Sequence, residues 1–250
     1  MLKGKKFQKG VVLFTILLLP SILYLVLTTG EHLFDRLPII GPRKAVTVVN
    51  EEGKTEVDTL YHTIPDFELT DQNGKPFGSD DLEGKIYVAN FFFTSCPSIC
   101  PTMTFHMGEL QKHFNLYPEV HLLSFTVDPE RDSAEALMQY AHENRADTNM
   151  WTFLTGNKDS IYQLAFKGFF VNAMEDELAP GGFLHSEYFV LVDKHGRIRS
   201  GRDKDGNIRS VYDGTKVKHL KALKEDMKVL IREYRMELKE NNKFKEDGEI

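Results

Sequence analysis

The apolar residues of this chain fall into one long uncharged run near the start and a series of short segments whose period switches between two and 3.6. The long run is 11–29, VVLFTILLLPSILYLVLTT. It has no polar face, so it does not read as the surface helix of a globular protein. Its length at ~1.5 Å per residue is ~28 Å, close to the ~30 Å of a bilayer's hydrocarbon layer. Lys3, Lys5, Lys6 and Lys9 precede it, which by the positive-inside rule places residues 1–10 in the cytoplasm and everything beyond residue 30 outside. The rival is a cleaved signal peptide, but Gly30-Glu31-His32-Leu33 offers no small-x-small site. A retained single-pass anchor over 11–29 is therefore the expectation.

Beyond it, 30–60 reads as a linker with a hairpin, 45–49 and 55–57 around Asn50-Glu51-Glu52-Gly53. The patterned domain occupies 61–238. Strands 67–70 and 75–77 flank Asp71-Gln72-Asn73-Gly74, whose Asn-Gly suits a tight turn. Residues 85–93 form a nearly continuous apolar run, as expected of a central strand covered on both faces. A helix over 103–116, a strand over 120–127 and a helix over 134–144 follow, the last with Asp132 and Glu135 as N-cap and capping-box partner. Next come a strand near 151–154 and a helix over 160–166. The stretch 169–184 has little periodicity and carries Pro180-Gly181-Gly182. A hairpin, 188–192 and 198–200, surrounds Asp193-Lys194-His195-Gly196. The final helix shows one apolar stripe, Val217, Leu220, Leu223, Met227, Leu230, Ile231 and Tyr234. The polar tail 239–250 is expected to fray. The order βαβ, βα, β-hairpin, helix predicts an α/β protein. Its thioredoxin-like central sheet is flanked by helices and preceded by added N-terminal β-hairpins and the transmembrane helix.

Charge narrows the function. With 31 basic and 37 acidic residues the net charge is -6, which offers no global attraction for nucleic acid. Export to an oxidising compartment makes the cysteine count matter. There are two, Cys96 and Cys100, in Thr94-Ser95-Cys96-Pro97-Ser98-Ile99-Cys100-Pro101, where the central strand ends and its helix begins. A loop this small gains little from a disulfide, so the pair reads as redox or metal chemistry. The positive end of the helix dipole is expected to favour thiolate over thiol. Thioredoxin-type oxidoreductases place two residues between their cysteines, and this chain places three. Residues four apart on a helix hold their Cβ atoms ~5–6 Å apart, wider than the ~3.5–4.5 Å of a disulfide. The spacing thus leans towards a metal between the sulfurs without excluding redox work.

Two thiolates and an imidazole suit copper, since soft sulfur selects Cu(I) and histidine helps accommodate Cu(II). Of the nine histidines, His106, His113, His121, His142 and His219 lie on predicted helices or a strand, His195 in a turn, His32 beside the membrane and His62 ahead of the core. His185 ends the long stretch and opens the strand expected to run beside 85–93. Met103 and Met107 read as core, the aromatic run 91–93 as buried strand, and Asp203 to Asn207 as a turn rather than a calcium loop.

These motifs resemble the Sco/SenC family of copper-binding proteins involved in cytochrome oxidase assembly. Phe92 to Pro101 is similar to the family's aromatic-rich CxxxCP element, Val127-Asp128-Pro129-Glu130-Arg131-Asp132 to its DPxRD element, and Leu184-His185-Ser186 stands where the family has its histidine. The family usually has Asp before that histidine; here it is Leu184, which weakens any carboxylate role there. The resemblance covers roughly 60–235. It implies a thioredoxin-like fold and copper, as Cu(I) or Cu(II), held by Cys96, Cys100 and His185; separately, Asp128 reads as a residue that orients the loop. The resulting expectation is a metallochaperone rather than an enzyme, anchored in a bacterial cytoplasmic (inner) membrane with its domain on the extracytoplasmic side. Its partners would be the copper-containing subunit of cytochrome c oxidase, and another copper chaperone or a thioredoxin-like reductant. The stretch 169–184 would let His185 swing in and out. The alternative is a thiol-disulfide reductase or redox-linked copper sensor, which needs Cys96 and Cys100 as a redox-active pair but not His185.

Overall fold

A computed structural model describes residues 14–16, 18–22, 24, 36–49, 53–175 and 183–247. The chain divides into two units, Met1–Asp35 and Arg36–Ile250. In the first, the described residues are helical and expose Phe14, Ile16, Leu19, Ile22 and Tyr24. Much of the expected anchor lies outside the described residues, and among those described no helix is long and apolar enough to cross a membrane.

The second unit is a mixed α/β domain. Strands β1 (Arg43–Val49) and β2 (Thr55–Tyr61) pair antiparallel as a separate two-stranded hairpin. The hairpin expected within the linker is thus present, with both strands longer than expected. Just before β1, the Ile40 amide donates to the Ile198 carbonyl at 2.8 Å, fastening this stretch to the domain. The main sheet holds β3 (Glu68–Asp71), β4 (Pro76–Gly78), β5 (Ile86–Phe92), β6 (Val120–Thr126), β7 (Trp151–Thr155), β10 (Tyr188–Val192) and β11 (Ile198–Arg199). Its order is β11-β10-β5-β6-β7-β3-β4, and β12 (Tyr212–Asp213) also pairs with β10. The strands β5, β6 and β7 are parallel, whereas β10 runs antiparallel to β5 and β3 to β7.

Every residue of β5 is buried, as its nearly continuous apolar run suggests of a strand covered on both faces. Alternate side chains serve opposite faces. Phe92 meets Tyr140 and Phe153 on one side, while Phe91 stacks on Phe125 and meets Phe169 edge-on on the other. Helices α1 (Cys100–Phe114), α2 (Ala134–Glu143), α3 (Lys158–Gln163) and α4 (Val217–Asp247) complete the domain, with a π-turn continuing α3 over Leu164–Gly168. Met103 and Met107 are fully buried in the core. Helix α4 buries Leu220, Leu223, Met227, Leu230 and Ile231, but Val217 stays exposed. The helix also runs on to Asp247 instead of fraying beyond Leu238.

The stretch 169–184 contains structure that its periodicity does not reveal. Strands β8 (Ala173–Glu175) and β9 (Phe183–His185) form a two-stranded antiparallel sheet pairing Ala173 with His185. His185 therefore closes β9; the strand beside β5 opens three residues later, at Tyr188. Of the stretch 169–184 expected to let His185 swing, residues 176–182 lie outside the described residues.

A buried charge network ties the β10–β11 turn to α4 and to the segment before β1. Arg199 donates to Asp193 and to Glu233, both at 2.8 Å, and to the Leu37 carbonyl. Burial pushes the Asp193 carboxyl up, but hydrogen bonds from Arg199 and Arg197 outweigh it and hold it below the ordinary carboxylate range. A depressed native pKa adds stability above the unfolded value of ~3.9, and that stability is lost as pH falls through the native value. The urea midpoint should accordingly drop on acidification, and an Asp193→Asn chain should show a flatter profile below about pH 4. An unchanged acid profile in that variant would remove Asp193 from the acid response.

Candidate metal centre

The site begins where β5 leaves the sheet. Its last residue, Phe92, accepts from the Val127 amide at 2.8 Å, which holds the segment after β6 against the segment after β5. Phe93 is fully buried, Thr94 and Ser95 turn the chain, and Cys96 follows. Pro97 to Ile99 bend into α1, where Ile99 is the N-cap, Cys100 the first helical residue and Pro101 the second. Proline is tolerated here because the first-turn N–H groups have no intrahelical partner.

Cys96 is 7% exposed and Cys100 1%, so the first cysteine is the more accessible residue. Neither is in a disulfide. The two side chains are hydrogen-bond partners, and the Ser98 hydroxyl lies 3.5 Å from the Cys96 sulfur. The contact with Cys96 and burial push the Cys100 thiol up, outweighing a backbone hydrogen bond at Phe93, while the Asp132 charge adds to the rise. At Cys100 this runs against the thiolate that the helix N-terminus is expected to favour. The hydrogen bond with Cys96 is the larger cause, and burial, which strips water from the charged form, adds to it. The same surroundings push the Tyr140 hydroxyl up to about 12, through burial first and then the nearby cysteines.

Asp132 organises the loop. It is fully buried and accepts from the Thr94 amide at 3.0 Å and from the hydroxyls of Thr94 and Thr126, each at 2.5 Å. It is not the helix cap expected of it. Ser133 caps α2 by accepting from the Ala136 amide, and its hydroxyl donates to Glu135. Asp128 is also buried; burial pushes its carboxyl up, partly offset by the ion pair with Arg131. The Arg131 guanidinium lies 5.3 Å from the Phe183 ring, and that ring lies 5.2 Å from Phe93. Phe183 thus seats β9 against the residue that leads into the cysteines. His185 occupies the position two residues on in the same strand, and its side chain lies outside the described residues.

The other described histidines are largely engaged elsewhere. His62 bonds the Gly168 carbonyl, His106 the Gly214 carbonyl and His121 the Thr152 hydroxyl, and His219 accepts from the Asp213 amide. Burial holds His121 down at about 4. His195 sits beside Glu237 in the β10–β11 turn, while His32 lies outside the described residues. Asp203 accepts from the amides of Asp205 and Asn207, as a turn rather than a calcium loop does. Among the described residues no group of three His, Cys, Asp or Glu side chains gathers to hold a metal. Two adjoining buried sulfurs nonetheless provide soft donors of the kind that Cu(I) selects.

Fold and site together define an α/β protein with a buried Cys-x-x-x-Cys pair at the junction of its central strand and first long helix. The model of one family, SCO1/SenC, matches residues 56–219, and the chain belongs to that family. The SCO1 protein homolog of Bacillus subtilis is 33% identical over 163 residues, spanning 64% of this chain and 83% of its own. The structure of BsSco, described as a member of the Sco family of cytochrome c oxidase assembly proteins with a disulfide switch, is 28% identical. It superposes with a TM-score of 0.55 over 67% of this chain and 93% of its own. Bradyrhizobium japonicum ScoI, solved with copper bound, is 25% identical with a TM-score of 0.54 over 67% of this chain and 99% of its own. The thioredoxin-like fold of these proteins is the fold of this domain.

Proposed function

We propose that this chain is a membrane-anchored copper metallochaperone that carries copper on the Cys96 and Cys100 thiolates and the His185 imidazole, for assembly of a cytochrome c oxidase copper centre. The observation that carries the reading is the pair of adjoining, buried sulfurs at the strand–helix junction, in a family with a copper-bound structure and a member described as an oxidase assembly protein. Support for His185 comes from Phe183, whose packing on Phe93 brings strand β9 to the cysteine loop. Uptake starts at the more accessible Cys96 and closes onto Cys100, and each thiol gives up its proton as the ion binds. Copper affinity should therefore fall as the medium becomes more acidic, because protons and copper compete for the same sulfurs. A competition titration against a Cu(I) chelator at several pH values checks the sign.

His185→Ala tests the third ligand. It should weaken copper binding by about 10- to 100-fold and alter the thiolate-to-Cu(II) absorption. Unchanged affinity and spectrum would remove His185 from the set. A second reading rests on the contact between the two sulfurs: oxidation to a disulfide, with thiol-disulfide exchange on an oxidase subunit, needs the same cysteines and not His185. Exchange activity surviving His185→Ala would favour it.

The anchor belongs to the same proposal. The uncharged run 11–29, the lysines ahead of it and the exposed apolar residues between Phe14 and Tyr24 suit a bilayer. The domain would then lie on the extracytoplasmic side of a bacterial inner membrane. In membranes washed with alkaline carbonate the chain should stay in the pellet, and release into the supernatant would count against the anchor.

A further inference from the structure

Far from the cysteines, at the opposite end of β5, lies a cavity of about 330 Å³ that the copper reading does not use. Its floor includes Tyr87, the second residue of β5, and its rim includes Asp66, Asp80 and Glu83. From Tyr87 to Phe92 the strand climbs ~17 Å at ~3.3 Å per residue, so the cavity and the cysteine loop are separate places. The walls are pinned by bonds between distant segments. The Ile64 amide donates to the Gly196 carbonyl at 2.8 Å, the Phe67 amide to the Ser79 hydroxyl at 3.0 Å and the Ser79 amide to the Phe67 carbonyl at 3.1 Å.

Two features point to a ligand. Tyr87 is only 3% exposed, yet its hydroxyl has no hydrogen-bond partner among the described residues. It is not among the hydroxyls sealed inside the protein either, so it gives onto the cavity that its ring lines. A buried phenol normally finds a partner inside the protein; here the hydroxyl is left to bond whatever fills the cavity. The second feature is charge. The carboxylates of Asp66, Asp80 and Glu83 have no partner among the described residues. The cationic side chain in the lining, Lys194, is already committed to Glu237 and to the face of Tyr234, and His195 also faces Glu237. The half-buried ring of Phe67 in the wall adds a surface on which a cation can rest.

We propose that this cavity is a binding site for a single organic cation, a guanidinium or primary ammonium on a short alkyl stem. The Tyr87 hydroxyl accepts from its N–H groups, and Asp66 and Asp80 balance its charge at the mouth. Such a group comes either from an arginine or lysine side chain of a partner protein or from a free alkyl cation.

The test is titration of the full-length protein in detergent micelles with n-butylguanidinium, followed by the amide shifts of Phe67, Ser79 and Gly196. These shifts should saturate. Tyr87→Phe, which keeps the ring, should weaken binding about fivefold, and Asp66→Asn with Asp80→Asn about tenfold. n-Butylurea, a neutral isostere, should give no saturable shift. Melting temperatures matching the parent would show that the variants remain folded. Equal binding of n-butylurea, variants that bind like the parent, or no saturable shift at all would each overturn the proposal. Acetyl-Gly-Arg-Gly-amide separates the sources: binding as tight as n-butylguanidinium points to a protein side chain, and exclusion of the peptide points to a free cation. Copper loading is a separate readout, so failure here leaves the metal reading untouched.

Discussion

Substituting either Cys96 or Cys100 by serine is expected to take the reduced protein from about one copper retained per chain to essentially none after desalting. One thiolate with one imidazole leaves Cu(I) short of soft donors, and serine's hydroxyl does not replace the lost sulfur. The two losses need not be equal in rate. Cys96, at 7% exposure, sits where an incoming ligand can reach it, whereas Cys100, at 1%, is held inside the first turn of α1. Exchange of copper with an external thiol should thus begin at Cys96, and a Cys100→Ser chain should still capture copper transiently. Stopped-flow mixing with a Cu(I)–thiol complex, followed by metal analysis after desalting, measures both. Retention of stoichiometric copper by either variant would sink the two-sulfur site.

The second large effect is expected at Asp132. Removing its carboxylate strands the half-buried Thr94 amide and hydroxyl and the fully buried Thr126 hydroxyl. At about 1–3 kcal/mol for a buried group left without its partner, Asp132→Ala should lose roughly 3–5 kcal/mol of stability. Asp132→Asn keeps the size and one carbonyl acceptor, so it should lose about half of that. Because Thr94 stands two residues before Cys96, both changes should also lower copper affinity. The fall should be larger than that of a core substitution of equal instability, such as Leu137→Ala in α2. Urea melts and chelator titrations on the three variants separate the two effects. If affinity tracks stability alone, Asp132 holds the domain together without shaping the loop.

Much of this arrangement was legible in the chain. A short, nearly continuous apolar run fits a strand covered on both faces, and β5 is that strand. The stripe from Leu220 to Ile231 marked the buried side of α4, and the cysteines fell at the strand–helix junction because proline flanks them. What was not legible depended on distant partners. Asp132 and Ser133 are both good caps, and composition alone cannot tell which one caps the helix and which faces inward to Thr94 and Thr126. The Cys100 thiol is pushed up by its contact with Cys96 and by burial, and both exist only in three dimensions. Strands β8 and β9 are three residues each, too short for alternation to register. Tyr87 read as one more apolar position in a core strand; only the missing partner of its hydroxyl sets it apart.

The placement of Phe183 bears on how fast cargo can change hands. One ring joins β9 to Phe93 and to Arg131, and burying such a ring contributes about 1.5–3 kcal/mol. A state in which β9 is undocked would then be populated roughly 10- to 100-fold less than the docked one on that account alone. If release of copper passes through the undocked state, its rate is capped by that scarcity, whatever the strength of the metal–ligand bonds. A recipient protein that offers its own apolar surface to Phe183 would lift the cap, and the copper would leave quickly only in the right company.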